Sequence, residues 1–245
     1  MDLKPNLTTT SLTYFNTERD FLESLSGLYA TFQTQLSTYI LLNEVRSDNT
    51  CVYYNPSERA GGVSLEEIDE FRDGAINTSS NYWNLAYSAI YRINLFLSKI
   101  DDFSFTTSGL KTRIEGEGKF IRAFYYFNLV RFYGDVPLIL TPIQNLSEAF
   151  IIERTPSDLV YNQIIEDVNV AVGSLPESYS PSEVGRITRG AALTLLAKVQ
   201  LTQGKFPDAV STLKDVLAIG YTLQPDYRNC FDPNFKNNSE AILEI

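Results

Sequence analysis

The chain has 245 residues, 44% of them hydrophobic and 20% charged, enough for one large domain or two small ones and for a core that needs no disulfide or metal staples. Thirty acidic residues outweigh 20 basic ones, and there is no basic run to displace counterions from phosphates. Nucleic acid and anionic membrane surfaces are therefore poor partners, and the acidic balance is compatible with neutral ligands, such as sugars, or with basic protein surfaces.

In chain order, Met1-Asp2-Leu3-Lys4-Pro5 lacks the apolar stretch of a signal peptide, and Met1, the sole methionine, is read as a start placed after a removed leader. No stretch approaches the roughly 20 apolar residues of a membrane-spanning helix. A first helix opens at Thr17, a capping residue with Asp20 at the third helical position. Its apolar stripe is Phe21, Leu25, Leu28, Phe32 and Leu36, and it is expected to decay near Ser37. Residues 43–78 carry no sustained period and are rich in polar and turn-forming types, a long segment of the kind that is functional or holds short elements. A second helix spans residues 80–99, with Trp83, Ala86, Tyr87, Ile90, Asn94 and Leu97 on one face. A third spans 108–133 and contains Gly116 and Gly118. Each glycine costs about 1 kcal/mol against alanine in a helix interior, so the pair marks close approach of another helix. Asp135-Val136-Pro137 stops it, and Leu138-Ile139-Leu140 continues as an extended segment.

A fourth helix has Thr155 as cap, Pro156 at the first helical position and Asp158 against the positive helix end. Its stripe is Tyr161, Ile164, Ile165, Val168, Ala171 and Val172. Thr188 caps a fifth helix carrying Ala192, Leu195, Leu196 and Val199. After Gly204-Lys205, a sixth starts near Pro207, carries Ala209, Val210, Leu213, Val216 and Leu217, and closes at Gly220. Residues 239–245 alternate weakly and are expected to form a strand. They end on an apolar residue with no terminator, so the fold is expected to run past them.

No histidine is present, which excludes a His-based triad or general base. Cys51 and Cys230 cannot make a zinc site between them and are read as two separate thiols. The pair of helices over 193–217 resembles a tetratricopeptide repeat, with Ala197 and Ala209 small where two helices meet and Gly204 and Phe206 at the turn. Leu193 and Gln200 stand where that motif has aromatics, so an ordinary helical hairpin fits equally well.

The third helix is more specific. Glu115-Gly116-Glu117-Gly118-Lys119-Phe120-Ile121-Arg122-Ala123-Phe124-Tyr125-Tyr126-Phe127-Asn128-Leu129-Val130-Arg131-Phe132-Tyr133-Gly134-Asp135-Val136-Pro137-Leu138 closely resembles the hallmark of the SusD/RagB family of outer-membrane nutrient-binding lipoproteins. Three further segments resemble the family in order: 83–94 from Trp83 to Asn94, then Gly185-Arg186-Ile187-Thr188-Arg189-Gly190-Ala191-Ala192, then Asn238-Ser239-Glu240-Ala241-Ile242-Leu243-Glu244-Ile245. The resemblance implies a mainly α fold, a right-handed scaffold of tetratricopeptide-like helical hairpins with long loops and a few short strands. Residues 1–245 would form a single helical domain, the N-terminal part of a family member about twice as long. It also implies a cell-surface, lipid-anchored protein that captures oligosaccharides and hands them to a SusC-like TonB-dependent outer-membrane transporter. The family's lipid-bearing cysteine is absent, and Asp2-Leu3-Lys4-Pro5 looks like the stretch just after that cysteine. Neither a cofactor nor a metal is implied.

The rings of the third helix surround it, so they are read as core rather than as a ligand platform, and Arg122 and Arg131 as partners of carboxylates or carbonyls. Trp83 could stack on a sugar, although it sits on an apolar helix face. The recognition segment is placed in the long loop, where Asp48, Asn49, Tyr53, Tyr54, Asn55 and Arg72 set rings beside hydrogen-bonding groups. Glu66, Glu67, Asp69, Glu70 and Asp73 are read as a solvated helix face. A glycosidase would need two carboxylates facing each other across a cleft, which their spacing does not show. The remaining alternative is a tetratricopeptide-type adaptor for protein segments, and it would need more repeats than the one visible.

Overall fold

A computed structural model of the chain describes residues 14–53, 57, 63–71 and 78–244. Its helices run in the order α1 (Glu18–Glu44), α2 (Val63–Asp69), α3 (Thr78–Ile100), α4 (Leu110–Tyr133), α5 (Leu146–Phe150), α6 (Ser157–Ser174), α7 (Arg189–Thr202) and α8 (Phe206–Ala218), with single 3-10 turns between and after them. The fold is mainly α, and among the described residues its β-structure is one antiparallel bridge, Val136 to Thr155.

α1 begins as expected. Thr17 accepts from the Asp20 amide, and the Asp20 carboxylate accepts from the Thr17 amide at 2.8 Å. It does not decay at Ser37 but continues to Glu44. The buried face explains the difference: it runs Phe21, Leu25, Leu28, Phe32, Gln35 and Leu42, while Leu36 is 52% exposed. A polar residue occupies the inward position, so the apolar stripe breaks in sequence while the helix does not.

α4 lies at the centre, packed against α1, α3 and α6. α3 and α4 are antiparallel, pairing Tyr82 with Phe132 (ring centroids 5.2 Å apart) at one end and Asn94 with Arg122 further along. α4 and α6 are antiparallel too, from Gly116 beside Ser174 to Arg122 against Asp167. The two glycines mark these close approaches. A Cβ on Gly116 would overlap Ser174 Oγ, and one on Gly118 would lie 3.1 Å from Leu97 Cδ2. α6 packs on α7, and α7 on α8, where Ala197 and Ala209 are buried at the contact. Successive antiparallel pairs thus stack along the chain, the hairpin scaffold expected from the resemblance.

The sequence markers meet across this stack. Arg122 is 6% exposed and donates to both Asp167 oxygens, at 2.7 and 2.8 Å. It donates also to Asn94 Oδ1 at 2.9 Å and the Leu140 carbonyl at 3.3 Å. Glu117, wholly buried, accepts from the Tyr29 hydroxyl at 2.5 Å and from Arg186 at 3.2 Å. The Ile187 amide closes the set by donating to the Tyr29 oxygen at 2.8 Å. Burial pushes the Glu117 carboxyl up against the pull of Tyr29, Arg186 and Arg113. Arg131 takes neither role expected of it; its guanidinium lies 5.1 Å over the Phe127 ring.

α6 starts one residue late. Thr155 is spent on the bridge to Val136, Pro156 takes the cap position, and the cap hydrogen bond comes from Asp135, which accepts from the Ser157 amide at 2.8 Å. Thr188 caps α7 as expected. The expected strand over 239–245 is absent from residues 239–244, which form turns and irregular backbone. Thr222 and Ser239 make hydrogen bonds without a ladder, and the carboxylates of Glu240 and Glu244 accept from the amides of Gln224 and Asn237. Weak alternation cannot hold a strand that has no partner.

This packing makes three outcomes testable. Asp167→Ala leaves a buried guanidinium without its counter-charge and should cost about 3–5 kcal/mol in urea unfolding, whereas replacing Arg122 and Asp167 together by leucines should cost less than that. An additive double mutant would contradict the pairing. Gly190→Ala would put a Cβ 2.9 Å from ring atoms of Tyr221 and should lower stability by about 1–3 kcal/mol despite the better helix former. Finally, the exposed Glu18 carboxylate accepts from Thr107 and Thr106, and these hydrogen bonds lower its pKa from 4.5 to about 2. A depressed folded-state pKa stabilises in full above the unfolded value and fades as pH falls towards the folded one. The deficit of Glu18→Gln relative to wild type should therefore be complete at neutral pH and shrink between pH 4.5 and about 2. A deficit that ignores pH would contradict this.

Candidate functional site

The expected recognition segment begins where α1 ends. Ser47 Oγ and Thr50 Oγ1 donate to the Glu44 carbonyl, and the Asn49 amide donates to Ser47 Oγ. These bonds close the helix end into a turn that leaves Asp48 and Asn49 exposed. The Val52 amide donates to Asp69 Oδ2 at 2.9 Å, tying the segment to α2, which is anchored by the fully buried Ile68. Tyr53 then stands 90% exposed. Tyr54, Asn55 and Arg72 lie outside the described residues, as does Asp73.

The acidic run on α2 differs from a simple solvated face. Glu66 is buried and Asp69 is spent on Val52, while Glu67 is half-buried and Glu70 exposed. The four described carboxylates of the run sit on one short helix and the turn after it, so they do not face one another across a cleft. No three His, Cys, Asp or Glu residues among the described ones are grouped to hold a metal. Cys51 is exposed, Cys230 half-buried, and both are free. No helix among the described residues is long and apolar enough to cross a membrane.

Trp83, near the start of α3, is half-buried in a cluster formed by both ends of the hallmark turn. Its ring centroid lies 4.9 Å from Tyr87 and 5.1 Å, edge-on, from Tyr133, and the Arg154 guanidinium sits 5.5 Å from it. Arg154 is exposed and held in place by backbone: Nη1 donates to the Asp135 carbonyl at 2.7 Å and the Tyr133 carbonyl at 3.5 Å, completing the carbonyl end of α4 as basic side chains do at helix C-termini. The Tyr87 hydroxyl donates to the Pro137 carbonyl at 2.7 Å. Burial pushes the Tyr133 phenol up to about 12, with the positive charge of Arg46 acting against it. The charge of Arg46 thus acts on the Tyr133 phenol, and the root of the 46–53 segment shares one end of the helix stack with the Trp83 cluster. Arg46 and Arg154 were not among the residues singled out by sequence, since a lone arginine in a loop carries no periodic signal.

The arrangement offers rings, two guanidinium groups and exposed amide, carboxylate and phenol groups at one end of a rigid scaffold. It can bind a polar ligand by stacking and hydrogen bonding.

A family profile described as "Starch-binding associating with outer membrane" matches residues 4–201. A SusD-like protein of Formosa agariphila is 25% identical over 240 residues, which cover 95% of this chain and 45% of that protein. A second one from the same organism is 28% identical over 232 residues, 90% of this chain and 44% of its own length. Among solved structures, a "Laminarin binding SusD-like protein" superposes with a TM-score of 0.84 at 30% identity, covering 94% of this chain and 51% of that one. The chain thus spans about half the length of the proteins it matches.

Trp83 is the only tryptophan, so its emission reports on this cluster alone. Arg154→Ala uncovers the indole and removes a cation–π contact worth about 0.5–1 kcal/mol at an exposed site. Its emission should shift to longer wavelength and its acrylamide quenching should rise, while the unfolding midpoint moves little. An unchanged spectrum would show that Arg154 does not cover the ring in solution.

Proposed function

The chain belongs to the SusD-like family of starch-binding proteins that associate with the outer membrane, and we propose that it binds oligosaccharide reversibly, without chemistry, at the cell surface, and delivers it to a SusC-like TonB-dependent transporter. The observation that carries this reading is the family match over residues 4–201. The geometry supports it. Asp48, Asn49 and Tyr53 stand exposed on a segment pinned at both ends, and Trp83 lies in the aromatic cluster at the same end of the stack. Pinning matters energetically, because a preordered segment loses less conformational freedom on binding than a loose one. Tyr54, Asn55 and Arg72, outside the described residues, are kept as proposed ligand contacts on composition alone.

We read the chain as the N-terminal helical part of a longer protein, one domain attached to the outer membrane through a lipid rather than a spanning helix. The half-length match supports this, and so do apolar side chains left in solvent: Phe206, Val210 and Leu217 along α8, and Tyr227 and Phe231 beyond it. An open, apolar pocket of about 250 Å³ lies between α1, Phe124 and Leu243. Solenoid ends left this apolar require a cover.

Calorimetric titration with laminarin and starch oligosaccharides tests the binding reading. Tyr53→Ala and Asp48→Ala should each weaken binding about tenfold, the effect of one lost stacking or charge-assisted contact, with the unfolding midpoint unchanged. Full affinity in a variant lacking Asp48, Asn49 and Tyr53 together would remove the site from this segment. Binding to a soluble protein and to no glycan would overturn the function itself and favour the adaptor reading.

A further inference from the structure

Five arginines at the surface of this acidic chain are matched to carboxylates. Arg19 pairs with Glu23, Arg113 with Glu183, Arg186 with Glu117, Arg189 with Glu177 and Arg228 with Asp226. Arg154, like Arg131, lies over a ring instead, and among the described residues no ion pair joins it to a carboxylate. Asp135, the acidic residue it touches, offers Arg154 its carbonyl and turns its carboxylate to the Ser157 amide. Both hydrogen bonds of Arg154 use Nη1 and end on carbonyl oxygens, so its formal charge is not neutralised. The edge formed by Nε and Nη2 is the one that carboxylate and sulfate oxygens grip in parallel hydrogen bonds, and no hydrogen bond from it to a described residue is present. The guanidinium carbon lies 5.5 Å from the centroid of the Trp83 ring, which sets that fork beside the indole.

We propose that Arg154, clamped on Trp83, is the anion-recognising element of a subsite for an acidic sugar, a uronate or a sulfated residue, at this end of the stack. The inference rests on the glycan-binding reading and narrows its substrate class. The guanidinium covers a face of Trp83 on which a neutral sugar would stack, so a neutral glycan must displace it while an acidic one uses it.

The test is calorimetric titration of the wild-type chain, Arg154→Gln and Arg154→Lys with three oligosaccharides of equal length: an oligogalacturonide, a sulfated galactan fragment and a neutral laminari-oligosaccharide. An acidic glycan should bind about tenfold or more tighter than the neutral one, lose about that factor in Arg154→Gln, recover part of it in Arg154→Lys, and weaken with added salt. Trp83 emission should shift on binding of that glycan and stay unmoved by it in Arg154→Gln. Preference for the oligogalacturonide assigns the carboxylate, and preference for the galactan assigns the sulfate. Neutral and acidic glycans bound alike, or acidic binding untouched by Arg154→Gln, would overturn the subsite while leaving glycan binding in place. Absence of binding to all three would overturn both.

Discussion

The buried pair between Arg122 and Asp167 is the contact around which this molecule is organised. α4 is surrounded by α1, α3 and α6, so along its middle it has no solvent side on which to place polar groups. Any charge it carries there must be met inside. Arg122 is met completely by two carboxylate oxygens from α6, an amide oxygen from α3 and a carbonyl from the segment after α4. Four parts of the chain are thereby fixed to one planar group. A buried ion pair is weak evidence for stability compared with apolar packing, but it punishes wrong arrangements heavily, since each alternative register strands a charge. Glu117 does the same earlier on the helix, joining α1 through Tyr29 to the Arg186 segment before α7.

The aromatic richness of α4 arises from the same constraint. Phe120, Tyr125, Tyr126 and Phe127 are buried on several sides of the helix, where large rings fill the space between neighbours that the small residues Gly116 and Gly118 draw close. Several polar side chains around it have structural partners. Tyr126 donates to the Ile139 carbonyl and accepts from the Ile139 amide, Asn94 donates to that same carbonyl, and Tyr87 donates to Pro137. The extended segment 137–140 has no strand beside it, and side chains from α3 and α4 satisfy its backbone instead. This accounts for the hallmark running without interruption from helix into Gly134-Asp135-Val136-Pro137: the helix carries groups that hold the extended segment after it.

The functional end inherits its order from that scaffold. Asp135 caps α6, and the carbonyls around it hold Arg154. Arg154 in turn covers Trp83, whose ring meets Tyr133 edge-on. Asp48, Asn49 and Tyr53 are therefore displayed on short, pinned backbone at the rim, and most rings of the hallmark stay inside. Exposed residues such as Tyr53 are free to vary in chemistry without disturbing the core, which is how a common scaffold supports different ligands.

The sequence by itself determined the helical class, the starts of α1 and α7 through Thr17 and Thr188, the close approaches at Gly116 and Gly118, and the burial of the α4 rings. These are signals written in neighbouring residues or in a helical period. From composition it proposed a recognition segment, in which Asp48, Asn49 and Tyr53 are exposed. It missed the last turns of α1, because an inward Gln35 interrupts an apolar stripe. It missed the start of α6, because Asp135 supplies that cap across space from the far side of the intervening loop and α5. It expected a strand in the tail, where alternation exists but no partner strand does. It gave Arg122 a carboxylate partner without being able to say which, and gave Arg154 no role. Only the tertiary structure decides such matters, since a charged group is assigned by what the fold brings within hydrogen-bond distance, and that distance has no counterpart in residue spacing.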